Sequence, residues 1–195
     1  MVELVRRELG TNDESIIRLV AKAVFATGNP PALIKYMHVD PEVFNVFREL
    51  INGNATVITD VKMVAVGVRW GGNTVTLIDD VEVTKLAVEL GITRAAASMR
   101  MGGLSKFKPA IPIIGNSPTA LIEVIKMIRE GLEVPMVIAT PPGFTNAVDA
   151  KEELIRMGGI PSVVVRGGTY GGGSNVAVAV FNELLSIVRE GGHGG

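Results

Sequence analysis

Five short apolar runs divide this chain, and each ends in a turn that opens a helical pattern: "ATVIT" (55–59), "NTVTLIDD" (73–80), "AIPIIG" (110–115), "VPMVIAT" (134–140) and "IPSVVVR" (160–166). Apolar runs of that length read as strands buried on both faces. Such strands need cover on two sides, and the helical segments between them supply it. The pattern predicts a single-domain, three-layer α/β fold over residues 1–195, with a mainly parallel sheet of about five strands flanked by helices. The 195 residues are 47% hydrophobic and 20% charged, which suffices for one sizeable core, and neither a linker nor an internal repeat interrupts them.

The helical segments carry start and stop signals. Thr11-Asn12-Asp13-Glu14 reads as a capping box ahead of Ile16, Ile17, Val20, Ala21 and Val24 at helical spacing; Thr27 and Gly28 close that helix, and Pro30-Pro31 follows. The bulky Phe25 falls about 100° off the centre of this stripe, near Arg18. Asp40 as N-cap, Pro41 at N1 and a staple of Val39 on Phe44 predict a second helix that stops at Gly53. Asp60 predicts the N-cap of a helix through Val68, and one of Asp79 and Asp80 caps "VEVTKLAVEL" before Gly91. Thr93 caps "RAAASMRM", and Ser117-Pro118 starts a helix to Gly131. Two further helices are expected, one ending at Gly158 and one over residues 175–190.

In open parallel sheets, ligands bind outside the carboxyl ends of the strands. Here those ends carry Thr59-Asp60, Asp79-Asp80, Gly115-Asn116-Ser117, Pro142-Gly143-Phe144 and the loop "GGTYGGGSN" (167–175). That set describes a cleft rich in backbone amide donors and helix N-termini, suited to carboxylates or phosphates. The last loop approaches P-loop spacing from Gly168 to Gly173, yet Ser174-Asn175 stands where Lys-Ser/Thr is required, and Val176 stands where a third dinucleotide-loop glycine would fall. It reads as a ligand contact without nucleotide specificity. Asp79 and Asp80 are adjacent, so on a strand they face opposite ways and do not form a carboxylate pair. Arg94, in the first turn of its helix, opposes the macrodipole and suits an acidic ligand.

A formal net charge of -1 gives no nucleic-acid stripe and no membrane-seeking surface, and no apolar run reaches the roughly 18 residues that span a bilayer. The N-terminal "MVELVRRELG" lacks a signal-peptide core, so a cytoplasmic protein is expected. With no Cys and only His38 and His193, no metal site is expected. His38, beside the staple, reads as a packing or surface residue, and His193 lies in a glycine-rich tail. Met99, Met101, Met127 and Met157 read as core filler or cleft lining.

Several blocks, in order, resemble one family. "IIGNSPTAL" (113–121), "TDVKMVAVG" (59–67), "GITRAAAS" (91–98), "PPGFTNAVDAKEEL" (141–154) and "GGTYGGGS" (167–174) are similar to the motifs of the precorrin-8X methylmutase (precorrin isomerase) family of cobalamin biosynthesis. The resemblance covers nearly the whole chain. It implies an α/β homodimer that binds an acidic tetrapyrrole and moves a methyl group from C11 to C12 of the macrocycle, turning precorrin-8X into hydrogenobyrinate or its cobalt-bearing equivalent. It implies no cofactor, because the rearrangement is intramolecular. Taken with the strand-end reading, it puts substrate contacts at Thr27, Gly28, Thr59, Asp60, Met63, Arg94, Asn116, Ser117, Thr119, Gly143, Phe144, Gly171, Gly172, Gly173 and Ser174.

The departures from the family pattern fall on functional positions. The family's histidine, which assists by proton transfer, sits in an H-A-T-G-D-like stretch that here reads Phe25-Ala26-Thr27-Gly28-Asn29. Phenylalanine holds no proton, so a contribution of about 10²–10⁴-fold has no carrier there. The family's upstream Arg-Ser pair has no counterpart, Thr169 and Tyr170 occupy the loop that carries a basic residue, and Asp149-Ala150 replaces Glu-Ser before Lys151. No catalytic residue is assigned, and turnover is expected to be very low. Two other readings stay open: a non-catalytic corrinoid- or tetrapyrrole-binding paralogue, and a different enzyme acting on a smaller anionic ligand.

Overall fold

Two layers of helices enclose a six-stranded sheet in the order β1-β6-β5-β4-β2-β3. The computed structural model describes residues 1–28, 30–103, 109–143, 146–168 and 172–191. The strands are β1 (Met37–Val39), β2 (Thr56–Thr59), β3 (Thr74–Val75), β4 (Ala110–Ile114), β5 (Val137–Ala139) and β6 (Ser162–Val165). Every neighbouring pair is parallel except β1 with β6, which runs antiparallel with His38 opposite Val164. All residues of β2, β4, β5 and β6 are buried, as strands covered on both faces must be.

The sheet holds one strand more than the apolar runs predicted. Met37–Val39 is a three-residue edge strand that follows a helix directly, too short for any periodicity to show. Conversely, only Thr74 and Val75 of the run 73–80 pair with β2. The remainder turns away, ending at Asp80, which caps the next helix by accepting from the Glu82 N–H at 2.8 Å.

The helices are α1 (Val2–Leu9), α2 (Glu14–Thr27), α3 (Pro30–Tyr36), α4 (Val43–Asn52), α5 (Lys62–Gly67), α6 (Val81–Leu90), α7 (Arg94–Ser98), α8 (Pro118–Arg129), α9 (Ala147–Met157) and α10 (Ser174–Gly191). A kinked turn, Met99–Gly103, follows α7, with Met101 and Gly102 outside helical backbone conformation. On one face, Ile17, Val20 and Val24 of α2 and Val176, Val180 and Phe181 of α10 pack on Val57, Ile113, Ile138 and Val163. On the other, Leu121 and Val124 of α8 and Leu154 of α9 pack on Ile58, Ile114, Val137 and Val164. Successive strand residues thus serve opposite cores, which is the two-residue period of a strand. Phe47 of α4 meets Phe181 edge to face at 5.3 Å between centroids. Among the described residues no helix is long and apolar enough to cross a membrane.

Several caps differ from their sequence signals. Asp13, not Thr11, caps α2, accepting from the Ser15 and Ile16 N–H groups. The Thr11 hydroxyl accepts from Asp13, and the Glu14 carboxylate pairs with Arg6 instead of closing a capping box. Asp40 accepts from the Glu42 N–H at 3.0 Å, but the turn it makes delays α4 to Val43. Thr93 and Ser117 cap α7 and α8 as predicted. Asp60 does not cap α5, whose N-cap position is held by Val61 without a side-chain bond. Its carboxylate has another task.

Candidate functional site

Two crossovers diverge at the carboxyl edge of the sheet. From β2 the chain enters α5, whose Val64 joins the first core, and continues to β3; from the neighbouring β4 it enters α8, on the second core, and continues to β5. Neighbouring strands therefore send their helices to opposite faces and leave a crevice between them, where open α/β sheets bind ligands. A pocket of about 340 Å³ lies there, lined by Val61, Met63, Asn116, Ser174 and Asn175. A larger cavity of about 520 Å³ is lined by residues including Pro109, Val134, Pro135 and Ile160, where β4, β5 and β6 begin. Glu133 is its one charged lining residue, and none of the strand-end loops reaches it, so the smaller pocket is the functional candidate.

Asp60 organises the crevice from beneath. Fully buried, it accepts the Gly115 N–H on Oδ1 at 3.0 Å and those of Asn116 and Ser117 on Oδ2 at 2.8 and 2.6 Å. Burial pushes its carboxyl above the ordinary range, and the three amide donors pull it back. This corrects the sequence reading twice. Asp60 serves the turn after β4 and not its own helix, and the amides of 115–117 are spent on it and not offered to a ligand. Gly115 is required for close approach: a Cβ there would lie 2.5 Å from Val64 Cγ2 and 3.1 Å from Ser174 Cα.

The loops after β5 and β6 are tied together. The Gly173 N–H donates to Thr140 O at 2.6 Å, while the Thr140 hydroxyl donates to Gly173 O at 3.0 Å. Gly143 N–H donates to Gly168 O at 3.0 Å. The fully buried Lys151 of α9 donates from Nζ to Pro141 O at 3.0 Å and to Gly167 O at 2.6 Å. Desolvation lowers its ammonium to about 8. On the far side of the crevice, Asn175 Nδ2 donates to Ala26 O at 2.7 Å, joining the first turn of α10 to the last turn of α2. Phe25, the next residue back along α2, is 71% exposed, so its ring lies outside the core.

This arrangement, with its helix-lined crevice and glycine-rich loops, has close counterparts. The precorrin-8X methylmutase family model matches residues 2–187. The chain belongs to that family. It is 33% identical over 189 residues to the cobalt-precorrin-8 methylmutase of Methanothermobacter thermautotrophicus, covering 96% of this chain and 88% of the relative. It is 36% identical over 159 residues to the cobalt-precorrin-8 methylmutase of Priestia megaterium, covering 78% and 68%. Among solved structures, one described as a precorrin-8X methylmutase related protein superposes with a TM-score of 0.81 at 30% identity, covering 91% of this chain and 95% of that one. The precorrin-8X methylmutase of Thermus thermophilus also gives 0.81, at 26% identity, covering 98% and 94%.

The residues that the family resemblance pointed to divide into three groups. Met63, Asn116 and Ser174 meet around the pocket, and Asn175, also in its lining, bonds the Ala26 carbonyl. Thr119 reaches the α7 side, its hydroxyl 2.6 Å from that of Thr93 and 2.9 Å from that of Ser117; the exposed Arg94 follows Thr93 in the chain. Gly143, Gly172 and Gly173 belong to the tied loops.

The remaining described residues of that set do structural work. Thr59 is fully buried and spends its hydroxyl on Val61 O at 3.2 Å. Thr27 donates its hydroxyl to Val24 O at 3.0 Å, and Gly28 ends α2 in a left-handed conformation, φ 66°. Phe144 and Gly171, with Asn29, Thr169 and Tyr170, lie outside the described residues. Thr140, Asn175 and Lys151 fall within quoted segments of the sequence but were not among the predicted contacts. For Lys151 a signal existed: it lies on the buried stripe Ala147, Ala150, Lys151, Leu154 of α9, where a lysine head needs acceptors.

Proposed function

We propose that this precorrin-8X methylmutase family protein binds an acidic tetrapyrrole of the precorrin-8X class in the crevice between β2 and β4, and that Phe25 leaves the methyl shift without its proton carrier. The observation that supports this reading is the Asn175–Ala26 bond, which ties the chain stretch that carries the family's histidine to a residue lining the pocket. Phe25, one residue before Ala26, is a group that offers apolar contact to a flat macrocycle but no proton. Arg94 supports the acidic character of the ligand, being exposed beside the crevice and without an ion pair among the described residues. Relatives named for cobalt-precorrin-8 and precorrin-8X define the ligand class.

The same surface supports a homodimer. Met63 and Val66 of α5 are 67% and 83% exposed, and Val81 and Val88 of α6 are 66% and 80% exposed. An ion pair between Lys62 and Asp79 links the start of α5 to the residue two before α6. Exposed apolar surface beside a site is suited to cover by a second copy.

Titration of the purified protein with hydrogenobyrinic acid at low salt tests the binding reading. The expected result is a saturable shift in the visible spectrum. Absence of a shift, under conditions where a histidine-bearing family member binds, overturns it.

A further inference from the structure

The described residues hold one lysine whose side chain is completely buried, and it makes no ion pair among them. Lys151 emerges from α9 into the space between two loops, and its Nζ donates to Pro141 O at 3.0 Å and Gly167 O at 2.6 Å. An ammonium withdrawn from water without an ion-paired carboxylate is destabilising in itself; the field of nearby Glu152 and two backbone carbonyls recover only part of its hydration. A leucine or methionine would fill this stripe of α9 without that penalty.

The two acceptors identify its role. Pro141 opens the loop that leads from β5 to Gly143, and Gly167 opens the loop from β6 that returns through Gly172 and Gly173 to α10. The loops meet at described points: a Cβ on Gly172 would lie 2.6 Å from Thr140 O, and the Gly143 N–H donates to Gly168 O. Both carbonyls come from non-repetitive backbone, which has no ladder partner to hold it. Ser174 and Asn175, two of the pocket's lining residues, follow directly from Gly173.

We propose that Lys151 is the positioning residue of this site: a buried ammonium strap across the β5 and β6 loops that sets where Gly143 and Gly172–Ser174 stand to meet a ligand. The ligand part rests on the binding reading above; the strap itself does not. Lysine suits the task because one donor group reaches both carbonyls from a rigid helix, and a shorter or neutral side chain leaves both unsatisfied.

The test compares wild type with Lys151→Ala, with and without n-propylamine, and with n-propanol as a neutral filler of the same shape. Two readouts are taken: amide hydrogen exchange resolved at Gly143, Gly172 and Gly173 in the ligand-free protein, and affinity for hydrogenobyrinic acid. The variant should show exchange at those glycines at least about tenfold faster, with core amides of β2 and β4 unchanged, and at least about tenfold weaker binding. Propylamine should reverse both and propanol neither. Unchanged loop exchange, restoration by propanol as well as by propylamine, or loss of protection spread evenly through the core overturns the strap. Faster loop exchange with undiminished affinity overturns its role in ligand positioning. Wild type that binds no corrinoid sinks the binding reading and with it the ligand role, and leaves the exchange result to decide the strap.

Discussion

Asp60 and Ser117 are 57 positions apart in the chain and 2.6 Å apart in space, the Ser117 amide donating to the Asp60 carboxylate. Through this bond and its two companions from Gly115 and Asn116, the end of β2 fixes the turn that leaves β4. The crevice has a rigid floor because one side chain closes three amides at once.

Asp60→Asn should therefore be costly despite its near-identical shape. The amide side chain offers one acceptor oxygen and turns an N–H₂ donor toward other donors. A loss of about 2–4 kcal/mol is expected. Urea unfolding should show a lower midpoint with an unchanged slope, and a shift of less than about 0.5 kcal/mol would refute the role given to Asp60.

Gly115→Ala should strain the contact between α5 and α10, since the new methyl would stand 2.5 Å from Val64 Cγ2. Backbone on the α10 side limits the escape, so about 1–3 kcal/mol of destabilisation follows. The double variant Gly115→Ala, Val64→Ala should recover part of it in thermal melts. No recovery would show that the helix backbone, at Ser174 Cα, is the limiting wall.

Wild type should turn precorrin-8X over very slowly, and Phe25→His should raise the rate. Rescue should be partial, because the other departures from the family pattern remain and small misplacement of a proton carrier costs about 10²-fold. Phe25→Ala should leave stability within about 0.5 kcal/mol, the ring being mostly exposed. Rapid turnover by wild type, with Phe25→His no faster, would show that catalysis does not reside at this position.

The protein should be a dimer at micromolar concentration, with a scattering mass near twice the 20.6 kDa of one chain. Val66→Glu, placed on the exposed face of α5, should shift it toward monomer. A wild-type mass equal to one chain would remove the second copy from the account of this surface.

Lys151 makes stability depend on pH in a stated direction. Its value is about 8 in the fold against an ordinary 10.5, so between these limits the unfolded chain binds more protons than the native one. Stability relative to Lys151→Met should rise as pH climbs through that window, by at most about 1.4 kcal/mol per unit. A difference between the two proteins that stays flat from pH 8 to 10 would contradict it.

Much of the architecture was legible because it is written in local patterns. Buried strands need continuous apolar runs, and Thr93, Asp80 and Ser117 cap helices through bonds that span only two or three residues. The family motifs were legible too, and with them the substitution at Phe25. The edge strand β1 was not, since three residues carry no period, and its pairing depends on β6, more than 120 positions away.

By itself, then, the sequence determined the layers, most helix ends, the family and the absence of a histidine where the family pattern has one. Tertiary structure alone decided what the polar groups at the strand ends do. Asp60 was as good a cap for α5 as for any neighbour until the fold carried the Gly115–Ser117 amides to it, and those amides looked available to a ligand until then. Lys151 was only the lysine of a family motif, with no task assigned, until Pro141 and Gly167 were brought within reach. The reason is the same in each case: a hydrogen bond is decided by which partner is closest in space, and for a buried group that partner comes from wherever the fold returns the chain.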